Sequence, residues 1–189
     1  MESKYKNKYR IPSARLQSWN YAASAAYFIT ICTQDRVHYF GEVRNKEMHL
    51  NEIGKLAEQE WLNTIELRPD MNLELGQFVV MPNHFHGIVI IGDNEYNRNN
   101  DLSIIETLQS IRTNKISVNS FGPQSKNLSA IIRGFKGTVT KNARVINPEF
   151  KWQERFHDNI IRDGKAFDNI QNYIYNNPNN WKEDTFYKN

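Results

Sequence analysis

Two histidines separated by one residue are the feature of this sequence that most strongly suggests chemistry. His84 and His86 flank Phe85 at the start of an apolar run that ends at Ile91. Successive side chains of a strand point to opposite faces, so both imidazoles would project from one face and Phe85 from the other. Imidazoles ligate divalent metals, and two protein ligands would leave coordination positions open for phosphate oxygens.

The same spacing has a purely structural alternative. A bare His-x-His pattern arises by chance, and two histidines near a strand end can simply hydrogen-bond to their surroundings. The pair is therefore a candidate metal site that depends on the rest of the sequence for support.

Basic residues are unevenly distributed, although the formal net charge is only +3. One cluster lies near the N-terminus, and its members are Lys4, Lys6, Lys8, Arg10 and Arg15. A second stretch contains no acidic residue, and its basic members are Lys126, Arg133, Lys136, Lys141 and Arg144. Such clusters can neutralise nucleic-acid phosphates, and a nearby aromatic such as Trp152 could stack an unpaired base. A solvated helix face is the alternative interpretation.

The overall composition is that of an ordinary soluble globular protein, with 39% hydrophobic and 24% charged residues. No run approaches the roughly 18 to 20 apolar residues of a membrane span, so no membrane association is expected. The single cysteine, Cys32, lies in an apolar run and is expected to be buried. The polar, charged start of the chain lacks a secretory pattern, which favours a cytoplasmic location.

Five short segments have the composition of β-strands. Residues 26–32 and 37–43 are predicted to form a hairpin-like pair. The apolar runs 73–80 and 85–91 are predicted to be adjacent strands, because Pro82 between them would interrupt any ladder. Residues 156–161 predict a last strand.

Three segments show helical periodicity. The first is predicted to begin at the N-cap Asn51 and to end before Pro69, and its apolar face comprises Ile53, Leu56, Ala57, Trp61 and Ile65. The second has basic residues on its polar surface, and its apolar face comprises Leu128, Ile131, Ile132, Phe135 and Val139. The third has apolar residues at Phe167, Ile170 and Ile174 and is predicted to end before Pro178.

The chain of 189 residues predicts one domain, residues 1–189, with a polar insertion at about 93–127 and flexible ends. Its elements follow the order strand, strand, helix, strand, strand, helix, strand, helix. That order indicates an α+β fold in which helices pack on a mainly antiparallel sheet.

The residues around the histidine pair resemble a family signature. The string FVVMPNHFHGIVI at 78–90 resembles the "v-M-P-N-H-x-H" pattern of the HUH single-tyrosine transposases, especially the REP-associated tyrosine transposases. The family's opening, basic helix and last strand are matched by YFITIC at 27–32, by residues 128–141 and by WQERFHD at 152–158. YIYNNP at 173–178 is similar to its "Y-I-x-x-N-P" helix end. The resemblance covers nearly the whole chain apart from the insertion and the extreme ends.

This resemblance implies a ferredoxin-like, RRM-like antiparallel sheet and a metal-dependent enzyme that cuts and rejoins single-stranded or hairpin DNA. His84 and His86 would bind a divalent ion, Mg²⁺ or Mn²⁺, and Tyr173 would be the nucleophile. The implied products are a 5′-phosphotyrosine link and a free 3′-hydroxyl. Relatives place the tyrosine in its own subunit's site or in a partner's, so a homodimer is compatible with the resemblance.

Asn177 follows Tyr173 by four residues, about one turn along the same helix face. The resemblance implies that it is a third metal ligand, whereas its position before Pro178 also suits a helix C-cap. Tyr175 is the alternative nucleophile. His157 and Asp158 could support the site or could be packed strand residues.

Two other functions are alternatives to the transposase hypothesis. A replication-initiator or relaxase-like HUH nuclease is disfavoured by the short chain without a helicase segment. A catalytically silent DNA-binding regulator of repeats is disfavoured by the intact set of His84, His86, Tyr173 and Asn177.

Overall fold

The computed structural model describes residues 19–98 and 125–187. In these ranges the strands are β1 (Ala25–Cys32), β2 (Gly41–Arg44), β3 (Glu47–Leu50), β4 (Leu73–Met81), β5 (His84–Ile91) and β6 (His157–Ile161). The helices are α1 (Glu52–Leu62), α2 (Leu128–Ile146) and α3 (Gly164–Asn176). Short 3₁₀ turns occur at Gln34–Arg36, Pro69–Met71 and Trp181–Glu183.

The main sheet is antiparallel throughout, with the strand order β4-β5-β1-β6. β2 and β3 pair with each other in a separate two-stranded ribbon. Apart from the ribbon, the chain runs β-α-β-β-α-β before α3, which is the ferredoxin-like arrangement. The predicted fold class is therefore confirmed.

The hydrophobic core lies between one face of the sheet and the helices α1 and α2. Phe85 is fully buried there, with its ring centroid 4.7 Å from that of Trp61 in α1 and 5.3 Å from that of Phe135 in α2. Because β5 alternates, its two histidines must face the opposite side of the sheet. That opposite side is covered by α3, whose Ile174 is buried.

Local sequence signals predict the start of α1 correctly but not its end. The helix stops at Leu62 rather than just before Pro69, and Ile65, which was expected on its apolar face, is exposed. The Asn51 side chain caps α1 by accepting a hydrogen bond from Gly54 N, as predicted. Asn127 and Asp163 cap α2 and α3 in the same way, through Ala130 N and Ala166 N.

The predicted pairing of residues 26–32 with 37–43 is wrong. Both edges of β1 are occupied, by β5 on one side and β6 on the other. The chain after β1 instead turns out of the sheet at Asp35 and Arg36, which both have positive φ. The second strand begins only at Gly41 and pairs with β3.

Cys32 is buried, as expected from its apolar surroundings. None of the helices in the described parts of the chain combines the length and apolar character that a bilayer span requires. Most of the predicted insertion, residues 99–124, lies outside the described residues, as do 1–18 and 188–189.

Two glycines of α2 provide a test of this packing. A Cβ at Gly137 would meet no atom within 4 Å. Glycine inside a helix costs roughly 0.5–1 kcal/mol relative to alanine. We expect Gly137→Ala to raise the free energy of unfolding by about that amount, as measured by urea denaturation.

Gly134→Ala is the matched control in the same helix. A Cβ at this position would clash with Nη2 of Arg68, whose guanidinium approaches the Ile131 carbonyl. Arg68 would have to move, so the gain should be smaller or absent. Equal gains at both positions would contradict the packing described.

Candidate active site

His84 and His86 lie side by side on the sheet face that α3 covers. Both are buried, and their ring centroids are 4.5 Å apart. Their strand β5 is flanked by β1 and β4, with Cys32 opposite His84 and Thr30 opposite His86 in the β1 register. The predicted shared face of the two imidazoles is therefore present in the structure.

Each imidazole has a polar neighbour at Nδ1. Oγ1 of Thr30 lies 2.9 Å from Nδ1 of His86, and Oδ1 of Asn83 lies 2.9 Å from Nδ1 of His84. The two Nε2 atoms differ in their surroundings. Nε2 of His86 is 3.3 Å from the Tyr173 hydroxyl, whereas Nε2 of His84 is buried and has no hydrogen-bond partner among the described residues.

Burial keeps both imidazoles neutral. Desolvation lowers the pKa of His86 to about 3. Desolvation also lowers the pKa of His84 well below its ordinary value, helped by the nearby His86 and Arg36. Asn177, which approaches His84 without forming a well-aligned hydrogen bond, opposes this effect. A neutral imidazole retains the lone pair that a metal ion requires.

Tyr173 lies on α3 with its hydroxyl at the histidine pair and its side chain 45% exposed. Partial burial raises the pKa of this phenol, and the negative charge of Asp184 raises it further. Tyr175, the alternative nucleophile, is 73% exposed and lies two residues further along the helix. Of these two tyrosines, Tyr173 is the one whose hydroxyl lies beside His86.

Asn177 is buried one turn after Tyr173, immediately beyond the end of α3. Its Nδ2 donates to Oδ2 of Asp184 across 2.8 Å. A carboxylate can only accept, so the amide NH₂ must face Asp184 and the carboxamide oxygen must face away. That oxygen, Oδ1, is buried without a hydrogen-bond partner in the described part of the chain.

Asp184 is a candidate site residue that sequence reasoning missed. One ligand atom from each of His84, His86 and Asp184 lies within 4.8 Å of the others. The sequence suggested a loosely held tail after Trp181, but this segment returns to the site. Phe186 lies against both histidines, with ring centroids 4.7 Å from His84 and 5.7 Å from His86. Three aromatic residues within seven positions, Trp181, Phe186 and Tyr187, were the available signal of packing.

The donor set suits a divalent cation. It offers two neutral imidazoles, a carboxylate and a carboxamide oxygen, and two of its atoms, Nε2 of His84 and Oδ1 of Asn177, are buried without hydrogen-bond partners among the described residues. Within the same parts of the chain, this metal-ligand cluster does not include His157 or Asp158.

Three of the predicted DNA-binding residues line one open cleft of about 620 Å³ beside α2. Lys136, Lys141 and Arg144 lie there with Lys151 and Trp152. The Lys136 ammonium donates to the carbonyls of Gln153 and Arg155 across 2.6 and 3.1 Å. Burial lowers the pKa of Lys136 to about 8.

The other two predicted DNA-binding residues lie outside this cleft. Arg133 is exposed on α2, three residues before Lys136. Lys126 forms an ion pair with Asp70 and lies 5.0 Å from the Tyr96 ring centroid. Asp70 precedes β4, whose first residue pairs with Ile91, so Lys126 is at the end of the sheet remote from His84.

A solved structure of a REP-associated tyrosine transposase bound to a REP hairpin has the same fold. The match covers 90% of this chain and 74% of that chain, with a TM-score of 0.54 and 17% sequence identity. This similarity supports the ferredoxin-like fold that the resemblance to HUH transposases implies.

A sequence relative then defines the family. An uncharacterized protein of Haemophilus influenzae (strain ATCC 51907 / DSM 11121 / KW20 / Rd) is 36% identical over 179 residues, which span 93% of this chain and 92% of the relative. The chain belongs to the family of that protein. No family model matches the sequence.

Proposed function

We propose that this chain is a metal-dependent, single-tyrosine endonuclease and strand transferase that acts on single-stranded DNA, as a transposase does. One juxtaposition supports this function most directly. The Tyr173 hydroxyl lies 3.3 Å from Nε2 of His86, at the margin of a buried group of metal-ligand side chains. A hydroxyl nucleophile beside such a group is the arrangement that phosphoryl transfer to a protein side chain requires.

His84, His86 and Asn177 are the proposed metal ligands, and Asp184 joins them. Their buried nitrogen and oxygen acceptors would hold the ion from the side of the sheet and from the end of α3. A bound Mg²⁺ or Mn²⁺ would orient the scissile phosphate and stabilise the charge that develops during transfer. This side of the sheet is separated from the hydrophobic core by the strands themselves.

Tyr173 would then form the covalent intermediate. Its oxygen bonds to phosphorus while the bond from phosphorus to the 3′-oxygen breaks. The 3′-oxygen leaves with the bonding pair and takes up a proton, and the phenolic proton passes to solvent. The reverse reaction rejoins a strand without ATP, because the phosphotyrosine conserves the bond energy. A neutral phenol is a weak nucleophile, and partial burial raises the pKa of Tyr173 further, so a bound cation would assist the attack at neutral pH.

The cleft beside α2 is the proposed path of the DNA backbone. Lys136, Lys141, Arg144 and Lys151 supply positive charge there. Arg133, exposed one turn before Lys136 on the same helix, would extend it. Most of the affinity of such a surface comes from phosphate neutralisation, so binding should be strongly salt-dependent. The REP hairpin in the transposase of similar fold supports hairpin DNA as the substrate.

We propose that residues 1–189 act as one domain. A homodimer, a cytoplasmic location and a DNA contact at Lys126 also remain predictions.

Tyr173→Phe tests the nucleophile. The parent protein, incubated with Mn²⁺ and hairpin-bearing single strands, should yield a covalent protein–DNA adduct on denaturing gels. Tyr173→Phe should yield none, because the attacking oxygen is gone while the ring is retained.

Tyr175→Phe is the matched control and should retain the adduct. An adduct that survives Tyr173→Phe and disappears in Tyr175→Phe would move the nucleophile to Tyr175. DNA binding without any adduct, even for the parent protein, would instead favour the silent DNA-binding regulator.

Metal binding is tested by calorimetric titration of Mn²⁺ and Mg²⁺ into the full chain. His84→Ala and His86→Ala should each weaken binding by more than about 100-fold, because outer partners of metal ligands alone contribute roughly 10–100-fold. Asn177→Leu and Asp184→Asn should each weaken it by at least about 10-fold. His49→Ala, at an exposed position of β3, is the control. Unchanged affinity in both histidine variants would rule out this site.

The DNA path is tested by measuring affinity at several salt concentrations. In Lys141→Gln/Arg144→Gln, the slope of log affinity against log salt should fall by about 0.7–0.9 for each lost phosphate contact. Lys55→Gln, at an exposed position of α1, should leave the slope unchanged. If Lys126→Gln lowers the slope and the double variant does not, the backbone follows the other end of the sheet.

A further inference from the structure

We propose that Asn83 is a positioning residue that fixes the tautomer of His84, so that the His84 Nε2 lone pair faces the candidate metal cluster. This inference rests on the proposed function only in assigning a metal to that lone pair. The tautomer itself follows from the hydrogen bonds of Asn83.

The orientation of the Asn83 amide is determined by two backbone carbonyls. Its Nδ2 lies 2.9 Å from the oxygen of Phe186 and 3.3 Å from the oxygen of Arg36. Carbonyl oxygens only accept hydrogen bonds, so the NH₂ end of the amide must point to them. Oδ1 is then the end that meets His84.

The proton on His84 follows from the same reasoning. Oδ1 of Asn83 lies 2.9 Å from Nδ1 of His84, and a carboxamide oxygen can only accept. Nδ1 must therefore carry the hydrogen. In a neutral imidazole the other nitrogen is then the acceptor, so Nε2 carries the lone pair. This is the buried His84 atom for which no hydrogen-bond partner exists in the described ranges.

Asn83 is itself held firmly. It is fully buried in the two-residue turn between β4 and β5. Its carbonyl accepts a hydrogen bond from Thr33 N across 2.9 Å. The Thr33 hydroxyl lies 2.9 Å from the same carbonyl oxygen and 2.8 Å from the Val37 oxygen. The position requires a side chain that donates from one end and accepts at the other. Aspartate would keep the acceptor and lose the donors, and leucine would lose both.

His86 provides an internal reference. Its Nδ1 neighbour is the hydroxyl of Thr30, which can either donate or accept. Asn83 is not the Nδ1 neighbour of His86, so substitution of Asn83 should change the tautomer of His84 and leave the tautomer of His86 unchanged.

The test is a nitrogen-15 NMR experiment on the metal-free full chain at mildly alkaline pH. Long-range proton–nitrogen correlations distinguish the protonated ring nitrogen from the one that carries the lone pair. In the parent protein, His84 should be protonated at Nδ1. Asn83→Leu should give a mixture of tautomers and an about 10- to 100-fold lower affinity for Mn²⁺. Asn83→Asp should retain Nδ1 protonation and recover much of that affinity.

Thr33→Val is the matched control. It removes a hydroxyl that lies against the Asn83 carbonyl but leaves the Asn83 side chain intact, so His84 should keep its tautomer and Mn²⁺ affinity. His84 protonated at Nε2 in the parent protein would overturn the inference. So would an unchanged tautomer in Asn83→Leu, or loss of Nδ1 protonation in Asn83→Asp. If the Asn83→Leu variant does not fold, the spectra of the parent protein and of Asn83→Asp decide the question.

Failure of the proposed function gives a different result. A parent protein that binds no Mn²⁺ but shows Nδ1-protonated His84 would contradict the metal site and uphold the tautomer. A parent protein that binds Mn²⁺ with His84 in the other tautomer would do the reverse.

Discussion

The burial of Phe85 between α1 and α2 is the constraint from which the candidate site follows. Its ring is fully enclosed, in contact with Trp61 and Phe135. Since strand side chains alternate, a core position for Phe85 obliges His84 and His86 to occupy the opposite face. A slip of one residue in this strand would place two imidazoles in the hydrophobic core, so the core also secures the register of the site.

Burial without full hydrogen bonding distinguishes the site from an ordinary polar interior. Buried polar atoms are nearly always paired, because an unpaired one costs about 1–3 kcal/mol. Nε2 of His84 and Oδ1 of Asn177 are both buried without hydrogen-bond partners among the described residues. Asn83 and Asp184 form hydrogen bonds with these two side chains and fix their orientations. A metal site has these features: side chains oriented by hydrogen bonds, with ligand atoms that have no protein partner and can coordinate an ion.

Long-range packing brings the remaining parts together. α3 delivers Tyr173 and Asn177 to the histidines, and the following segment returns so that Phe186 packs on both imidazoles. Arg36, from the turn after β1, lies 4.2 Å from the Phe186 ring centroid. The site is thus assembled from separate stretches of chain, and the basic cleft beside α2 lies apart from it.

The sequence by itself determined the α+β order, the N-cap of α1 at Asn51, and the shared face of His84 and His86. Each of these depends on residues near one another in the chain, through periodicity or a side chain that bonds a few positions away. Only the tertiary structure decided the partners of β1, the entry of Asp184 into the site and the separation of Lys126 from the other basic residues. These features depend on contacts between segments distant in sequence, which local patterns do not encode because many pairings bury similar apolar area.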